Sequence, residues 1–270
     1  MGIEYKEIKC PNCGAPLKLK SGLAKLVVCE FCNSEIDLTK ENGIKVGERH
    51  RKEYPSRLKV SLGQLAQFNN KEFELIGRLV YEYEDDDEID YWEEFLFLSA
   101  EGEYLWLECD VEGFKIYNEF RPKRPINPRE LSKGQAIEID GDRGTVKETG
   151  SAKIAFFEGE MTWKTKIDSM VNYVDVSMSD NSSVSIEYND RELEFFRGQA
   201  ITRNAVYAAL GIPLPAPPKA NKLANTIFII LVIVIVIICC LVSMMKGGDS
   251  SSTVRTSSPS TSSFSSDDGK

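Results

Sequence analysis

Two cysteine pairs near the amino terminus, Cys10-Pro11-Asn12-Cys13 and Cys29-Glu30-Phe31-Cys32, are separated by fifteen residues. This C-x2-C-x15-C-x2-C spacing is that of a structural zinc site. Two cysteines three apart on a tight turn direct both sulfurs at one ion, and two such turns complete a tetrahedron. Gly14 and Asn33 follow the pairs, and both suit the left-handed backbone such a turn needs. Four thiolates leave no position for a substrate water. Cys10, Cys13, Cys29 and Cys32 are therefore expected to fold a ribbon over residues 1–50 around zinc rather than to catalyse. Iron is the alternative ion for four thiolates; a redox dithiol would need only one pair.

Three further cysteines bring the total to seven. Cys109 stands alone in an apolar stretch and reads as a small core residue. Cys239 and Cys240 lie inside a long apolar run, where lipid-facing packing is the expectation. An odd total containing two C-x2-C pairs does not read as a secreted disulfide framework. Met1 to Lys6 has no apolar stretch for a secretory signal, and Lys6 stands where myristoylation wants Ser or Thr. The amino-terminal part is expected in a reducing compartment. One histidine, His50, lies past a complete ligand set and reads as a linker or surface residue. With a single histidine, His-based zinc catalysis and a Ser-His-Asp triad are poor fits.

Ile227 to Val242 is sixteen consecutive apolar residues, and no charge separates Lys222 from Lys246. A helix over residues 223–245 would be roughly 35 Å long at about 1.5 Å per residue, enough to cross a core of about 30 Å. The Ile/Val content also suits a buried strand, but strands usually end after about 5–6 residues. A spanning helix, moreover, satisfies its own backbone in lipid. The expectation is a single-pass cell-membrane protein. Flanking charges (Lys219 and Lys222, Lys246 and Arg255) barely set its orientation; the thiol-rich head places the amino-terminal domains in the cytoplasm. Residues 246–270 read as a disordered tail, since thirteen of the seventeen residues from 250 to 266 are Ser or Thr. Pro213, Pro215, Pro217 and Pro218 mark residues 212–222 as a semi-rigid spacer.

Residues 61–211 read as a β-rich domain behind a linker at 51–60. Strand-like runs are Phe73 to Tyr83, Phe95 to Leu98, Tyr104 to Leu107, Ala136 to Ile139, Lys153 to Phe157, Tyr173 to Met178, Val184 to Tyr188 and Leu193 to Phe196. Glu101-Gly102, Asp140-Gly141 and Glu158-Gly159 read as turns between them, and Ile201 to Gly211 as a short helix closed by its glycine. The expected fold class is mainly β: a small zinc ribbon, an antiparallel β sandwich or barrel-like domain, and one transmembrane helix.

The net charge is −9, yet it is concentrated in one region. Between Arg78 and Lys115 there are fourteen acidic residues and no basic one, so removing them from −9 leaves +5 for the rest. Residues 1–50 carry +1, which becomes −1 once a zinc tetrathiolate contributes −2. Nothing there supplies the phosphate contacts that nonspecific nucleic-acid binding needs, which leaves a nucleic-acid-binding ribbon as the weakest of three readings. Asp85-Asp86-Asp87-Glu88 lacks the spaced D-x-D-x-D-G pattern of a calcium loop and reads as a solvated hairpin tip. It is the candidate surface for a protein partner with a basic face. Glu93, Glu94 and Glu160 flank Trp92 and Trp163 and would be the carboxylates of an enzyme, if they shared a cleft. No nucleophile elbow, phosphate loop or metalloprotease motif occurs, and no small-molecule substrate is identified.

Several short blocks carry a family resemblance. Gly77-Arg78-Leu79-Val80-Tyr81, Tyr91 to Phe97, Tyr104 to Glu108, Phe157 to Trp163, Val184 to Glu187 and Glu194 to Gly198 together resemble the bacterial domain of unknown function 4178 over roughly residues 60–200. The resemblance implies a membrane-linked, envelope-stress setting in which a zinc ribbon or a membrane segment often accompanies the domain. It brings no reaction and no catalytic residues. The reading that emerges is a membrane-anchored zinc-ribbon adaptor, with a carboxylate enzyme as the alternative.

Overall fold

A computed structural model describes residues 6–39, 44–45, 54–85, 88–164, 166–215 and 231–238. The chain forms two units, residues 1–214 and 215–270. The first is mainly β, and its strands are all paired antiparallel.

Five short strands build the cysteine-bearing head: β1 (Lys6–Lys9), β2 (Pro16–Leu19), β3 (Leu26–Val28), β4 (Glu35–Asp37) and β5 (Ile44–Lys45). Ten more follow: β6 (Leu65–Phe68), β7 (Lys71–Asp85), β8 (Glu88–Ser99), β9 (Tyr104–Cys109), β10 (Phe114–Glu119), β11 (Ala136–Ile139), β12 (Asp142–Met161), β13 (Met170–Met178), β14 (Ser183–Tyr188) and β15 (Leu193–Ala200). Helix α1 (Arg203–Ala209) is capped by the Thr202 side chain, and Gly211 closes it at φ +64. The eight strands β7-β8-β9-β10-β15-β14-β13-β12 form a ladder that returns to its start, because β12 also pairs with β7. The sheet is thus a closed barrel.

Two elements make the closure possible. β12 is twenty residues long, so its first half can pair with β13 and its second half with β7. At that seam Gly159 lies opposite Gly77. Gly159 has φ +78, and a Cβ there would collide with the Ile76 carbonyl, while one on Gly77 would collide with that of Glu160. The expected turn at Glu158-Gly159 is therefore corrected: both residues lie inside β12. The glycine serves close backbone approach instead of chain reversal.

Alternation along each strand divides the core. Leu79, Tyr81, Leu96, Leu98, Trp106, Tyr117, Ile154 and Phe196 face inward and pack together. Phe95, Phe97, Leu105, Leu107 and Ile116 face outward and are covered by Leu58, Ala66 and Phe68 and by Val206, Tyr207 and Leu210 around α1. A third cluster on the outside of β12–β15 is covered by Ile139 of β11 and the segment containing Phe120, Ile126 and Leu131. Strands buried on both faces explain unbroken apolar runs such as Phe95-Leu96-Phe97-Leu98. Residues 54–60, expected as linker, pack against the barrel: Leu58 is 1 % exposed, and Tyr54 and Arg57 bond to groups on β7 and β8.

The ribbon continues the sheet. Val27 and Leu26 of β3 pair with Glu160 and Met161 of β12, and Leu26 and Val28 belong to the same core cluster as the barrel interior. Of the apolar run, residues 231–238 are helical with exposed side chains. Its remaining positions, Cys239 and Cys240 included, lie outside the described residues, as do His50, residues 216–222 of the spacer and the Ser/Thr-rich tail. Among the described residues no helix is long and apolar enough to cross a membrane.

Candidate functional site

The cysteine turns are two copies of one local geometry. Gly14 N–H donates to Cys10 O at 2.9 Å and Asn33 N–H to Cys29 O at 2.7 Å; Cys10 N–H then reaches Ala15 O and Cys29 N–H reaches Ser34 O. Both residues after the pairs are left-handed, Gly14 at φ 76 and Asn33 at φ 55, as the sequence demands. The four sulfurs lie within 4.8 Å of one another. Cys10 and Cys32 sulfurs are 3.7 Å apart, and those of Cys13 and Cys29 3.8 Å. A tetrahedral ion with metal–sulfur bonds of about 2.3 Å requires sulfur–sulfur edges of about 3.8 Å, so this donor set fits one. Asn12 Nδ2 points at the Cys32 sulfur at 3.5 Å and at Ser34 Oγ at 3.0 Å, tying the two turns together. Burial pushes the Cys29 thiol up to about 12. Burial also opposes the Cys32 thiolate, but Ser34 and Asn12 outweigh it and bring that thiol to about 5. These four cysteines could hold a metal ion.

The three carboxylates that the alternative enzyme reading would need in one cleft do not converge. Glu160 sits at the ribbon–barrel joint, where its two oxygens accept Lys20 N–H at 2.7 Å and Ser21 N–H at 2.8 Å. Burial raises its pKa even against those two donors. Glu160→Ala is expected to leave both amides unpaired and to destabilise the joint by about 1–3 kcal/mol per amide. Hydrogen exchange at Lys20 and Ser21 checks this; unchanged protection there would show that the clamp carries no load. Glu93, fully buried, points to the outer side of β8. It accepts Arg78 Nε at 2.8 Å and Arg57 N–H at 2.6 Å, while Arg78 also donates to Tyr54 O. It holds residues 54–58 on the barrel and has no oxygen to spare for a reaction.

Glu94, one residue on, points inward and meets groups that sequence reasoning had not singled out. Its cross-strand partner is Glu108 on β9, and the partner of Glu108 on β10 is Lys115. Asp175 of β13 lies opposite Ser185 of β14, and Tyr173 opposite Glu187. These seven side chains border a cavity of about 340 Å³ inside the barrel, with Trp92 on its wall and Glu84, Asp110, Glu112, Lys147 and Glu148 at its margin. Lys115 bonds Glu108 at 2.6 Å and lies 3.6 Å from Asp110. Glu94 accepts Trp92 Nε1 at 3.0 Å, and Glu187 accepts Tyr81 Oη at 3.4 Å.

Desolvation dominates the electrostatics there. It raises Glu94 to about 8, with Glu108 opposite adding repulsion, and raises Glu108 to about 7 despite Lys115. Asp175 and Glu187 are raised for the same reason. Burial works against the Lys115 ammonium, but Glu108 and Asp175 outweigh it, so Lys115 remains charged. Among the described residues no cysteine or histidine lines this cavity; Cys109 is buried in the outer cluster.

The acidic run is the tip of the β7–β8 hairpin, where Asp85 pairs with Glu88. Glu84 and Glu88 are exposed; Asp86 and Asp87 lie outside the described residues. The region from Glu82 to Glu112 is thus not one acidic surface, since Glu93, Glu94 and Glu108 turn into the molecule. A missed signal was present in Asp175 between Val174 and Val176, and in Ser185 and Glu187 flanking Ile186. Polar residues alternating with apolar ones read as a solvent face, yet here they line the interior.

No curated protein and no solved structure matches the chain. The family described as Domain of unknown function (DUF4178) matches residues 61–203, which run from just before β6 to the first turn of α1 and include every strand of the closed barrel. With more than half of its 270 residues inside that match, the chain belongs to the DUF4178 family.

Proposed function

We propose that this chain is a single-pass, membrane-anchored adaptor whose cytoplasmic head is stapled by zinc and presents an acidic hairpin tip to a protein with a basic surface. The exposed end of the β7–β8 hairpin carries the reading. Glu84 and Glu88 extend from a barrel that anchors them rigidly, and neither forms an ion pair among the described residues. Unneutralised charge on a fixed strand end accelerates encounter with an opposite surface and makes it salt-sensitive. Zinc is favoured over iron because a closed four-thiolate set folds a module without redox chemistry. The apolar run at 223–245 supplies the anchor: residues 231–238 are helical and carry only apolar, exposed side chains. The scattering of Glu93, Glu94 and Glu160 speaks against the carboxylate enzyme.

Two measurements test this reading. Capture of partners by the detergent-solubilised chain is expected to fall sharply between about 50 and 200 mM salt and to be lost in the variant Asp85→Asn, Asp86→Asn, Asp87→Asn, Glu88→Gln. Binding indifferent to both changes would remove the acidic-tip reading. The chain should also stay with membranes through a carbonate wash and leave only with detergent; release by carbonate would remove the anchor.

A further inference from the structure

The geometry points to the barrel interior as a binding site for a small organic cation, an alkylammonium or guanidinium group seated between Glu94, Asp175 and Glu187 and the rings of Trp92 and Tyr173. Glu84, near the hairpin tip, borders the same cavity but is not one of these three carboxylates. Three observations carry the inference together.

The first is an imbalance of partners. Lys115 is taken by Glu108 and Asp110, and Lys147 at the rim is taken by Glu112. Across the cavity Glu94, only 9 % exposed, has one oxygen on the Trp92 indole and, among the described residues, no hydrogen bond to the other. None of Glu94, Asp175 and Glu187 forms an ion pair among the described residues; burial raises Asp175, and the more distant Lys115 and the Ser185 hydroxyl offset this only in part. Glu94 is buried and Asp175 and Glu187 are half-buried, and carboxylates withdrawn from water without a cation are costly to keep ionised. A positively charged guest would supply what the protein omits.

The second is the wall. Trp92 stacks on Tyr81 with ring centroids 4.6 Å apart and meets the edge of Tyr173 at 5.6 Å. Aromatic rings beside carboxylates suit an ammonium or guanidinium carried on an apolar body, through ring attraction and charge-assisted hydrogen bonds.

The third is spacing. Among the described residues the four cysteines are the one group whose ligand atoms converge within 4.8 Å; the barrel carboxylates do not. They are too far apart to share a bare metal ion, but they surround a volume of about 340 Å³, at the lower end of small-molecule sites.

Calorimetric titration of the full detergent-solubilised chain with n-butylammonium, 1-pentanol and calcium at about 50 mM salt tests the proposal. The ammonium is expected to bind one per chain, and the neutral alcohol not to bind. Glu94→Gln and Asp175→Asn should each weaken the ammonium at least tenfold, about 1.4 kcal/mol, while Glu130→Gln, far from the cavity, changes nothing. Trp92→Phe keeps every carboxylate and should weaken binding less, because phenyl is a poorer cation partner. Lys115→Gln removes the built-in cation and should tighten binding, an outcome that mere structural damage does not produce. Circular dichroism confirms that each variant is folded. The proposal is overturned if the ammonium fails to bind the folded wild-type chain, if calcium binds and Glu94→Gln abolishes it, or if only the hairpin-tip substitutions affect the ammonium.

Discussion

Removing the ion from the four-cysteine site, by chelator or by Cys29→Ser, is expected to melt the ribbon and to lower the stability of the barrel with it. Structural zinc contributes about 10–16 kcal/mol to the folding of small ribbons, and residues 6–39 have little else: their own cluster is Cys10, Leu17, Leu19, Val27, Cys29 and Ile36, two of them candidate ligands. The barrel should respond because β3 pairs with the end of β12 and Leu26 and Val28 fill the barrel's own core beside Met161 and Trp163. Exposing two such side chains costs about 1.5–3 kcal/mol each. Hydrogen exchange should show β1–β4 losing protection completely, and calorimetry should show the remaining transition several degrees lower. Elemental analysis of the untreated chain should find one zinc. A barrel transition that does not move on chelation would show the ribbon to be an independent bead.

Glu94→Gln is expected to stabilise the protein at alkaline pH and to do little in acid. The wild-type carboxyl titrates near 8 when folded, raised from an ordinary 4.5 by burial and then by Glu108. Between those values the native state holds a proton that the unfolded chain has released, so the group's contribution to stability falls as pH rises from about 4.5 to 8 and is constant beyond. Glu108, raised to about 7, acts in the same direction. Glutamine keeps an acceptor for the Trp92 indole without ionising. The gain at pH 8.5 should be on the order of 3 kcal/mol, roughly 5–10 °C in melting temperature, and small at pH 5. An equal gain at both pH values, or a loss at 8.5, would sink the account of Glu94 as a carboxyl strained by burial. If the same variant also loses the ammonium, function and stability oppose each other at one residue, as binding sites commonly require.

Much of the barrel was legible because its strands obey local rules. Tyr104-Leu105-Trp106-Leu107 has the branched and aromatic density of a strand, and Gly211 marks the end of α1 as a cap should. The first half of β12 was not legible. Asp142 to Ala152 is rich in charge, Gly and Thr and is held as strand by β11 at its start and by β13 along most of its length, a tertiary override of propensity. Glu158-Gly159 misled for a related reason: the local signal for a turn is the same glycine that a tight strand seam needs.

Cysteine spacing by itself determined the four-sulfur cluster that could hold an ion, because four cysteines in two tight turns need only local backbone to meet. Composition by itself also determined the apolar run and the acidic hairpin tip. A period of two tells which side chains share a face of a strand but not which face becomes the inside. That was decided by closure of β12 on β7 and by a second apolar layer outside the barrel, which turned Glu94, Glu108, Asp175 and Glu187 away from water and toward one another.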